Sequence, residues 1–320
     1  MFKILALKLM NHQPLLSVVI PTRNRRKQLE KLLRVLDQQS ASPALWEMIV
    51  VNNLSNDDTQ VFLEDLSTTI PNLKALIEAT PGSNYARNLG VKNAKSALIA
   101  FIDDDALPHP QWIERILSRY QHLNLDTDCL GGKVVLDFTA PLPRWYGPFL
   151  ENYLSRIDLG GSFCRASARN LSSTNLIIPK KLLEEVGLFD LNMNRRTENL
   201  RSNDETLTLI KLERKGACFF FDPAVKVFHE IGPNRLTQSY FRRRAWWQGI
   251  SDAEMETALS GKPQIWKEVI WPNLYSLLKQ PSLLWLAFRP CWGPNKFSLA
   301  VQAQLFLGRV FGGAWALLRK

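Results

Sequence analysis

Three adjacent carboxylates, Asp103, Asp104 and Asp105, directly follow the apolar run from Ala97 to Ile102. Neighbouring anions repel one another in a low-dielectric setting unless a cation or a set of donors offsets their charge. Aspartates also occur at the N-terminus of a solvated helix, where they cap the helix and interact favourably with its dipole. The cluster therefore indicates either a cation site or the start of a helix.

Two further acids, Asp204 and Glu205, begin a segment with helical spacing that ends at Lys215. A carboxylate placed beside a hydroxyl group can remove its proton, and such general-base catalysis contributes roughly 100- to 10,000-fold to a rate. The same two acids could instead only cap the helix. His229 follows a strand-like run, and on its own it is most simply a structural histidine.

Several common site motifs are absent from the sequence. No GxGxxG follows a strand, no GxxxxGK[ST] or HExxH occurs, and the four cysteines are far apart with no CxxC pair. Dinucleotide, P-loop and zinc-protease sites therefore lack their residues, and neither a zinc site nor a disulfide framework is indicated. Oxygen ligands select hard cations such as Mg²⁺ or Mn²⁺, which usually complete their coordination with phosphate and water. The implied partner is a diphosphate.

The elements that position these acids alternate between strands and helices. Strand-like runs occur at residues 16–21, 47–51, 73–77 and 97–102, and helical spacing follows each of the first three. This alternation predicts an α/β fold with a mostly parallel sheet, whose ligands bind beyond the carboxyl ends of the strands. The polar residues after Ile20, Val51 and Ile102 are then expected on one rim. Further strands are predicted at 131–136 and 174–179, with paired strands over 218–228.

Four segments in a fixed order resemble the family 2 glycosyltransferases. They are SVVIPTRN from Ser17, EMIVVNNLSNDDT from Glu47, the helix start Gly82-x-x-x-Ala86-Arg87-Asn88-x-Gly90, and FIDDDALP from Phe101. The resemblance runs from about Leu16 to about Asp252. It implies a GT-A fold and an inverting, metal-dependent transfer of a sugar from a nucleotide-diphosphate donor.

The resemblance also assigns roles on the donor side. Asp103 and Asp105 match the DxD pair that holds the divalent ion, His229 matches a ligand or phosphate contact, and Asp104 is the middle position. Asn53 matches a contact to the base, although Asn52 and Leu54 stand where the family commonly has Asp and Gly. The remaining predicted donor-site residues are Pro21, Thr22 and Arg23 in the loop around the ribose and base, and Arg87, which supports the site.

On the acceptor side, Ser202-Asn203-Asp204-Glu205-Thr206 resembles the family's Gly-Glu-Asp-Thr segment with both acids exchanged. In that family the second acid is the catalytic base. Position favours Glu205 for this role, and residue type favours Asp204. We prefer Glu205.

The positive charge of the chain is concentrated near its C-terminus. From Ile231 onward, twelve Lys and Arg face four Asp and Glu, and seven of the ten Trp lie there too, while the rest of the chain is close to neutral. This distribution argues against a nucleic-acid coat. Indole rings and cations suit an anionic membrane surface, whereas a spanning helix over 299–318 is disfavoured by Arg309. The alternative is an ordinary helical subdomain packed on the core.

The sequence therefore predicts an N-terminal extension at residues 1–15, a nucleotide-sugar-binding half at 16–110, an acceptor-binding half at 111–252 and a basic, Trp-rich helical extension at 253–320. The predicted acceptor is a saccharide or a lipid-linked sugar. The N-terminal stretch MFKILALKLM lacks a small-residue cleavage site, so we expect a cytoplasmic enzyme, peripheral on the inner face of the cell membrane. Alternatives are a sugar nucleotidyltransferase, which usually has a glycine-rich loop after its first strand, and a non-catalytic scaffold.

Overall fold

A computed structural model describes residues 13–193 and 200–318. Most of the predicted N-terminal extension, including MFKILALKLM, lies outside these ranges. The chain divides into two compact units. The sheet unit takes in the chain up to Val135, then Ile157–Leu191 and Thr208–Glu230, and the helical unit comprises Leu136–Arg156, Asn192–Leu207 and the chain from Ile231 onward.

One sheet contains all nine strands of the described residues, in the order β3-β2-β1-β4-β8-β6-β9-β5, with β7 beside β9. The strands are β1 Leu16–Thr22, β2 Trp46–Asn52, β3 Leu73–Ile77, β4 Leu98–Ile102, β5 Ala106–Pro108, β6 Asp128–Phe138, β7 Cys164–Ala166, β8 Asn175–Pro179 and β9 Cys218–Ile231. The predicted α/β fold is confirmed, and so are the individual strands expected over residues 16–102.

Parallel pairing joins β3, β2, β1 and β4. Their residues are buried almost throughout β1, β2 and β4, as expected for strands covered on both faces by crossover helices. The helices of this unit are α1 Arg26–Asp37, α2 Thr59–Thr69, α3 Ser83–Asn93, α4 Trp112–Arg119 and α5 Lys180–Glu185. Helix α3 begins at Ser83, directly after Gly82 with φ 143°.

The second half of the sheet is antiparallel. Strand β8 pairs antiparallel with β4 and β6, and β9 pairs antiparallel with β5 and β7. The strand-helix alternation that produces parallel neighbours stops after Ile102, so parallel pairing stops there too. The predicted paired strands at 218–228 are one long strand. It continues through Pro223, which falls between the stretches that pair with β7 and β5.

The helical unit contains two long helices that pack against each other, α7 Gln238–Ser260 and α11 Pro294–Leu318. Helix α6, Asp204–Arg214, begins in this unit. The shorter helices are α8 Lys262–Ile265, α9 Trp271–Lys279 and α10 Ser282–Phe288, with a π-helical turn at Trp266–Ile270. Leu150, Phe241 and Phe297 lie in the core that α7 and α11 share.

Glycines allow α7 and α11 to approach closely. A Cβ added to Gly249 would lie 2.3 Å from the carbonyl oxygen of Leu305, and one added to Gly308 would lie 2.2 Å from that of Trp246. Neither separation is possible without moving backbone. The two glycines therefore fix the register of the helix pair.

Many aromatic side chains after Gly261 are exposed. Trp292 is 88% exposed and Trp285 is 61% exposed, and Trp266, Trp271, Tyr275, Phe288, Phe311 and Trp315 are exposed as well. No described helix is both long and apolar enough to cross a membrane.

Candidate active site

The polar residues that follow β1, β2 and β4 meet at one rim of the sheet, as the sequence predicts. Thr22, the last residue of β1, donates from Oγ1 to Oδ2 of Asp104 at 2.8 Å. The amide of Asn53 donates to the carbonyl of Thr22 at 2.9 Å. The amide of Asn56 donates to Oδ1 of Asn24 at 2.6 Å. These contacts hold the three loops together.

Asp104 and Asp105 are buried and share one cation. Nη1 of Arg25 lies 2.7 Å from Oδ1 of Asp104 and 2.8 Å from Oδ2 of Asp105. Burial raises the pKa of Asp104 to about 6, and Arg25 and Thr22 oppose this rise. The pKa of Arg25 is raised in turn, chiefly by Asp104. The chain thus supplies part of the compensating charge that three adjacent carboxylates require.

Asp103 has a different environment from its two neighbours. Its side chain is 29% exposed, Oδ2 accepts a hydrogen bond from Oγ1 of Thr174 at 2.8 Å, and Oδ1 lies 3.8 Å from Nη2 of Arg87. Arg87 is buried and also donates to Asn84 and to Ser173. Arg87 therefore lies close to this carboxylate. Its role in supporting the donor site stays a prediction.

The pairing of β5 with β9 brings His229 to the carboxylates. Ala106 lies opposite His229 in this register, and Nε2 of His229 lies 3.3 Å from Oδ1 of Asp105. Both side chains are buried. The structure thus unites two predicted metal ligands that are far apart in the sequence.

These side chains agree with a Mg²⁺ or Mn²⁺ site in their chemistry. Asp105 and His229 offer an oxygen and a nitrogen donor at one point, and Mg²⁺ commonly takes only one or two carboxylates from a protein. Both carboxylate oxygens of Asp104 are engaged by Thr22 and Arg25, whereas in Asp105 Arg25 engages Oδ2 and Oδ1 faces His229. Within residues 13–193 and 200–318, no group of three or more His, Cys, Asp or Glu is arranged to hold a metal. Metal binding by Asp103, Asp105 and His229 stays a prediction.

Asn53, the predicted base contact, is buried and uses its amide to hold a loop. Its Nδ2 donates to the carbonyls of Glu78 and Thr80, and its Oδ1 accepts from the amide of Gly82 at 2.7 Å. These bonds connect the end of β2 to the start of α3. A direct contact between Asn53 and a nucleotide base stays a prediction.

Pro21, Thr22 and Arg23 lie at the carboxyl end of β1, where the resemblance places the donor loop. Arg23 has a buried Nε without a hydrogen-bond partner among the described residues. A phosphate oxygen would satisfy such a donor. The loop thus offers an unused N–H group close in sequence to the carboxylate-binding Arg25.

The predicted base residues begin α6 in the helical unit. Asp204 is buried and Glu205 is half-buried. The preceding residue, Asn203, has φ 64°, a left-handed conformation that asparagine adopts more readily than most residues. The amide of Leu207 donates to the carbonyl of Asn203, so the first turn of the helix starts at this bend. Glu205 as the base, with Asp204 as the alternative, stays a prediction.

Two residues that touch the aspartates were missed in the sequence. Arg25 could have been found, because clustered carboxylates need a cation and an arginine follows the first strand on the same rim. Thr174 could not, because its contact with Asp103 depends on the antiparallel register in which Ile102 pairs with Asn175.

Residues 17–187, more than half of the chain, match the family described as Glycosyl transferase family 2. Together with the strand order and the carboxylate rim, this match establishes the class of the protein. The chain belongs to glycosyl transferase family 2.

Among its relatives, glycosyltransferase AglE of Haloferax volcanii is 34% identical over 180 residues, covering 55% of this chain and 56% of that protein. Glucosyl-dolichyl phosphate glucuronosyltransferase from the same organism is 27% identical over 176 residues, with the same coverage. The matched region thus spans about half the length of each relative.

Solved glycosyltransferases share the fold. Mannosyltransferase PcManGT of Pyrobaculum calidifontis, in complex with GDP-Man and Mn²⁺, superposes with a TM-score of 0.57 at 17% identity, covering 99% of this chain and 80% of its own. S. aureus TarS 1-349 in complex with UDP superposes with a TM-score of 0.52 at 15% identity, covering 93% and 90%. The predicted GT-A type of fold is confirmed.

Proposed function

We propose that this protein is an inverting glycosyltransferase. It moves a sugar from a nucleotide-diphosphate sugar to a saccharide or lipid-linked acceptor in polysaccharide or glycoconjugate biosynthesis. The observation that carries the proposal is the rim at the carboxyl ends of β1, β2 and β4, where three carboxylates, His229 and two arginines meet on the fold of family 2. The relatives and structural neighbours, whose names describe sugar transfer and nucleotide or nucleotide-sugar complexes, support it further.

The donor diphosphate binds at this rim with Mg²⁺ or Mn²⁺. Asp103, Asp105 and His229 would hold the ion, which when bound supplies positive charge that stabilises the departing nucleoside diphosphate. Arg25 keeps Asp104 and Asp105 in place from inside the fold. Arg23 donates its unused N–H group to a phosphate oxygen. The pair of neighbours that contain GDP-Man with Mn²⁺ and UDP supports a nucleotide-sugar donor.

The acceptor is activated by a carboxylate at the start of α6. Glu205, or alternatively Asp204, accepts the proton of an acceptor hydroxyl as the oxygen attacks the anomeric carbon. The bond from that carbon to the diphosphate breaks, so the nucleoside diphosphate leaves and the sugar is transferred with inversion. A positioned base accounts for roughly 100- to 10,000-fold of such a rate.

The test incubates the full chain with nucleotide sugars and, separately, with nucleoside triphosphates plus sugar phosphates, each with Mn²⁺, with Mg²⁺ and with EDTA. Release of one nucleoside diphosphate that requires a metal supports the proposal. Release of pyrophosphate from a nucleoside triphosphate and a sugar phosphate would instead identify a nucleotidyltransferase. No release from any donor, with or without simple saccharide acceptors, would favour a non-catalytic scaffold.

The enzyme works at the cytoplasmic face of a membrane, to which it attaches through exposed aromatic and cationic side chains of α9, α10 and the segment after α10. Trp285, Phe288 and Trp292 are exposed next to Arg289, and Lys279 ends α9. Indole rings favour the headgroup zone, and each cation near an anionic leaflet contributes about 1 kcal/mol. Such attachment would present a lipid-linked acceptor to the enzyme.

Sedimentation with vesicles of anionic and of neutral lipid, at rising salt, tests the attachment. We expect wild-type protein to sediment with anionic vesicles at low salt and the variant Phe288→Ser/Trp292→Ser to remain in the supernatant. The control Val61→Ser removes an equally exposed apolar side chain from the sheet unit and should sediment like the wild type. Equal sedimentation of all three proteins would contradict this part of the proposal.

A further inference from the structure

A network of polar side chains connects α7 and α11 to the residues immediately before the proposed base. Asp252 of α7 is at its centre. Its Oδ1 accepts from Nδ2 of Asn203 at 2.8 Å and from Nε2 of Gln248 at 2.8 Å. Its Oδ2 accepts from Nε and Nη2 of Arg309 at 2.8 Å and 2.6 Å. Arg309 of α11 thereby acts on Asn203 through a single carboxylate.

Gln248 and Ser251, also on α7, hold the same segment from a second side. Nε2 of Gln248 donates to Oδ1 of Asn203 at 2.9 Å, so both polar ends of the Asn203 amide are fixed. Oε1 of Gln248 accepts from Oγ of Ser202 at 2.6 Å. The backbone amide of Ser202 donates to Oγ of Ser251 at 3.1 Å. Residues 202 and 203 are therefore fastened through backbone and side chain alike.

Asn203 determines the direction in which α6 leaves this segment. Its left-handed conformation, φ 64°, turns the chain directly before Asp204. Such a conformation costs energy for a residue with a side chain, and it persists where surrounding contacts determine it. The bonds from Asp252 and Gln248 are those contacts. The orientation of Glu205, two residues further on, then depends on them.

The glycine-mediated packing of α7 on α11 brings Arg309 to Asp252. Gly308 directly precedes Arg309, and Gly249 lies one helical turn before Asp252. Because these two glycines let the helices approach closely, the Arg309 guanidinium lies within hydrogen-bond distance of the Asp252 carboxylate. The C-terminal helix is thus built to present one cation to one point of α7.

We propose that Arg309 and Asp252 are positioning residues for the catalytic base at the start of α6. This proposal rests on the proposed function, in which Glu205 or Asp204 is that base. Arg309 holds Asp252, Asp252 holds the Asn203 amide, and Asn203 sets the first turn of α6. The C-terminal extension then serves catalysis as well as attachment to a membrane.

The test compares Arg309→Met with the control Lys296→Met. Both changes remove one cation from α11, and Lys296 is exposed and takes no part in the network. A misplacement of about 1 Å at a reacting group can lower a rate roughly 100-fold. For Arg309→Met we expect kcat to fall roughly 10- to 100-fold, with the donor KM within about twofold of wild type. Lys296→Met should match the wild type in both.

Hydrogen exchange of the full chain separates positioning from general loss of stability. In Arg309→Met, the amides of 202–207 should exchange at least roughly tenfold faster, and those in the middle of α7 and α11 should be unchanged. Asp252→Asn should produce the same local change in exchange. The double variant Arg309→Met/Asp252→Asn should have a kcat no lower than that of the slower single variant, because both residues act through one network. Faster exchange throughout both helices would overturn the proposal and leave a purely structural role.

Kinetics also distinguish this proposal from the function on which it rests. A wild-type protein that transfers no sugar from any donor would overturn both. An active wild type whose Arg309→Met variant keeps its kcat would overturn the positioning role alone. A fall in kcat without faster exchange at 202–207 would likewise exclude the stated route through Asn203.

Discussion

Replacing Arg25 by Gln should lower the free energy of unfolding by more than a typical substitution in a loop does. The change leaves Asp104 and Asp105 buried without their shared cation. Removing one partner of a fully buried ion pair costs about 3–5 kcal/mol, whereas exposed pairs contribute about 0–1 kcal/mol. Because the Arg25 side chain is 35% exposed, we expect an intermediate loss of about 2–3 kcal/mol near pH 8.

The loss should depend on pH in a defined direction. The pKa of Asp104 is about 6 in the folded protein, above its ordinary value, so this carboxyl favours the folded state at low pH and ceases to do so as the pH rises through about 6. Without Arg25 the folded-state pKa of Asp104 rises further. The difference between wild type and variant should therefore be smaller near pH 5 than at pH 8.

Thermal unfolding in EDTA at pH 5, 6, 7 and 8 measures this effect. For a chain of 320 residues about 1 kcal/mol corresponds to roughly 2 °C, so the Tm of Arg25→Gln should fall by roughly 4–6 °C at pH 8. Arg34→Gln is the matched control, because it removes an exposed arginine that pairs with Glu30 on the helix surface and should change Tm by less than about 1 °C. A Tm loss for Arg25→Gln that is absent at pH 8, or larger at pH 5 than at pH 8, would refute the reasoning.

Three further predictions concern the base, the metal and the helix pair. Glu205→Gln should lower kcat roughly 100-fold or more with little change in donor KM, and Asp204→Asn should be milder; the reverse order would move the base by one residue. Asp105→Ala should abolish the metal-dependent transfer while the circular dichroism spectrum is retained, and full activity in EDTA would contradict the metal role. Gly308→Ala should lower Tm by a few degrees, because the cost of overpacking, about 1–3 kcal/mol, exceeds the gain of about 1 kcal/mol in helix propensity. The control Gly161→Ala adds a Cβ that meets no described atom within 4 Å and should leave Tm unchanged.

The first half of the fold was readable from the sequence because its signals are local. The run LSVVIP and the three strand-like runs after it are short and apolar, and segments with helical spacing separate them. Parallel order of the strands follows from this alternation of strand and helix. The meeting of Thr22, Asn53 and Asp104 at one rim follows from the parallel order. The antiparallel half was harder to predict, because the partner of each strand is decided by packing over long distances in the chain. Strand β9 illustrates this, since its separate stretches pair with β7 and with β5, which lie far away in the sequence.

Within the candidate site, residue types were predictable and their partners were not. The three aspartates and His229 were identified through the resemblance, but the role of Arg25 between Asp104 and Asp105 depends on side-chain geometry. Asn53 shows the same limit, because its amide faces the loop at residues 78–82. The polar network around Asp252 has no local sequence signature, since Asn203, Gln248 and Arg309 come together only when α7 and α11 pack.

The pairing of β5 with β9 has a consequence for how the protein folds. Asp105 and His229 are far apart in the chain, and their contact forms only after the chain between them closes into a loop. Closing this loop costs conformational entropy before any stabilising contact is made. Pairings of this kind slow folding, whereas β1 to β4 can assemble from nearer neighbours, and domains synthesised on a ribosome start from the N-terminus. During synthesis the aspartates therefore emerge long before His229, with Arg25 already available beside them. The carboxylate rim is completed by β9, the last of the described strands to be made.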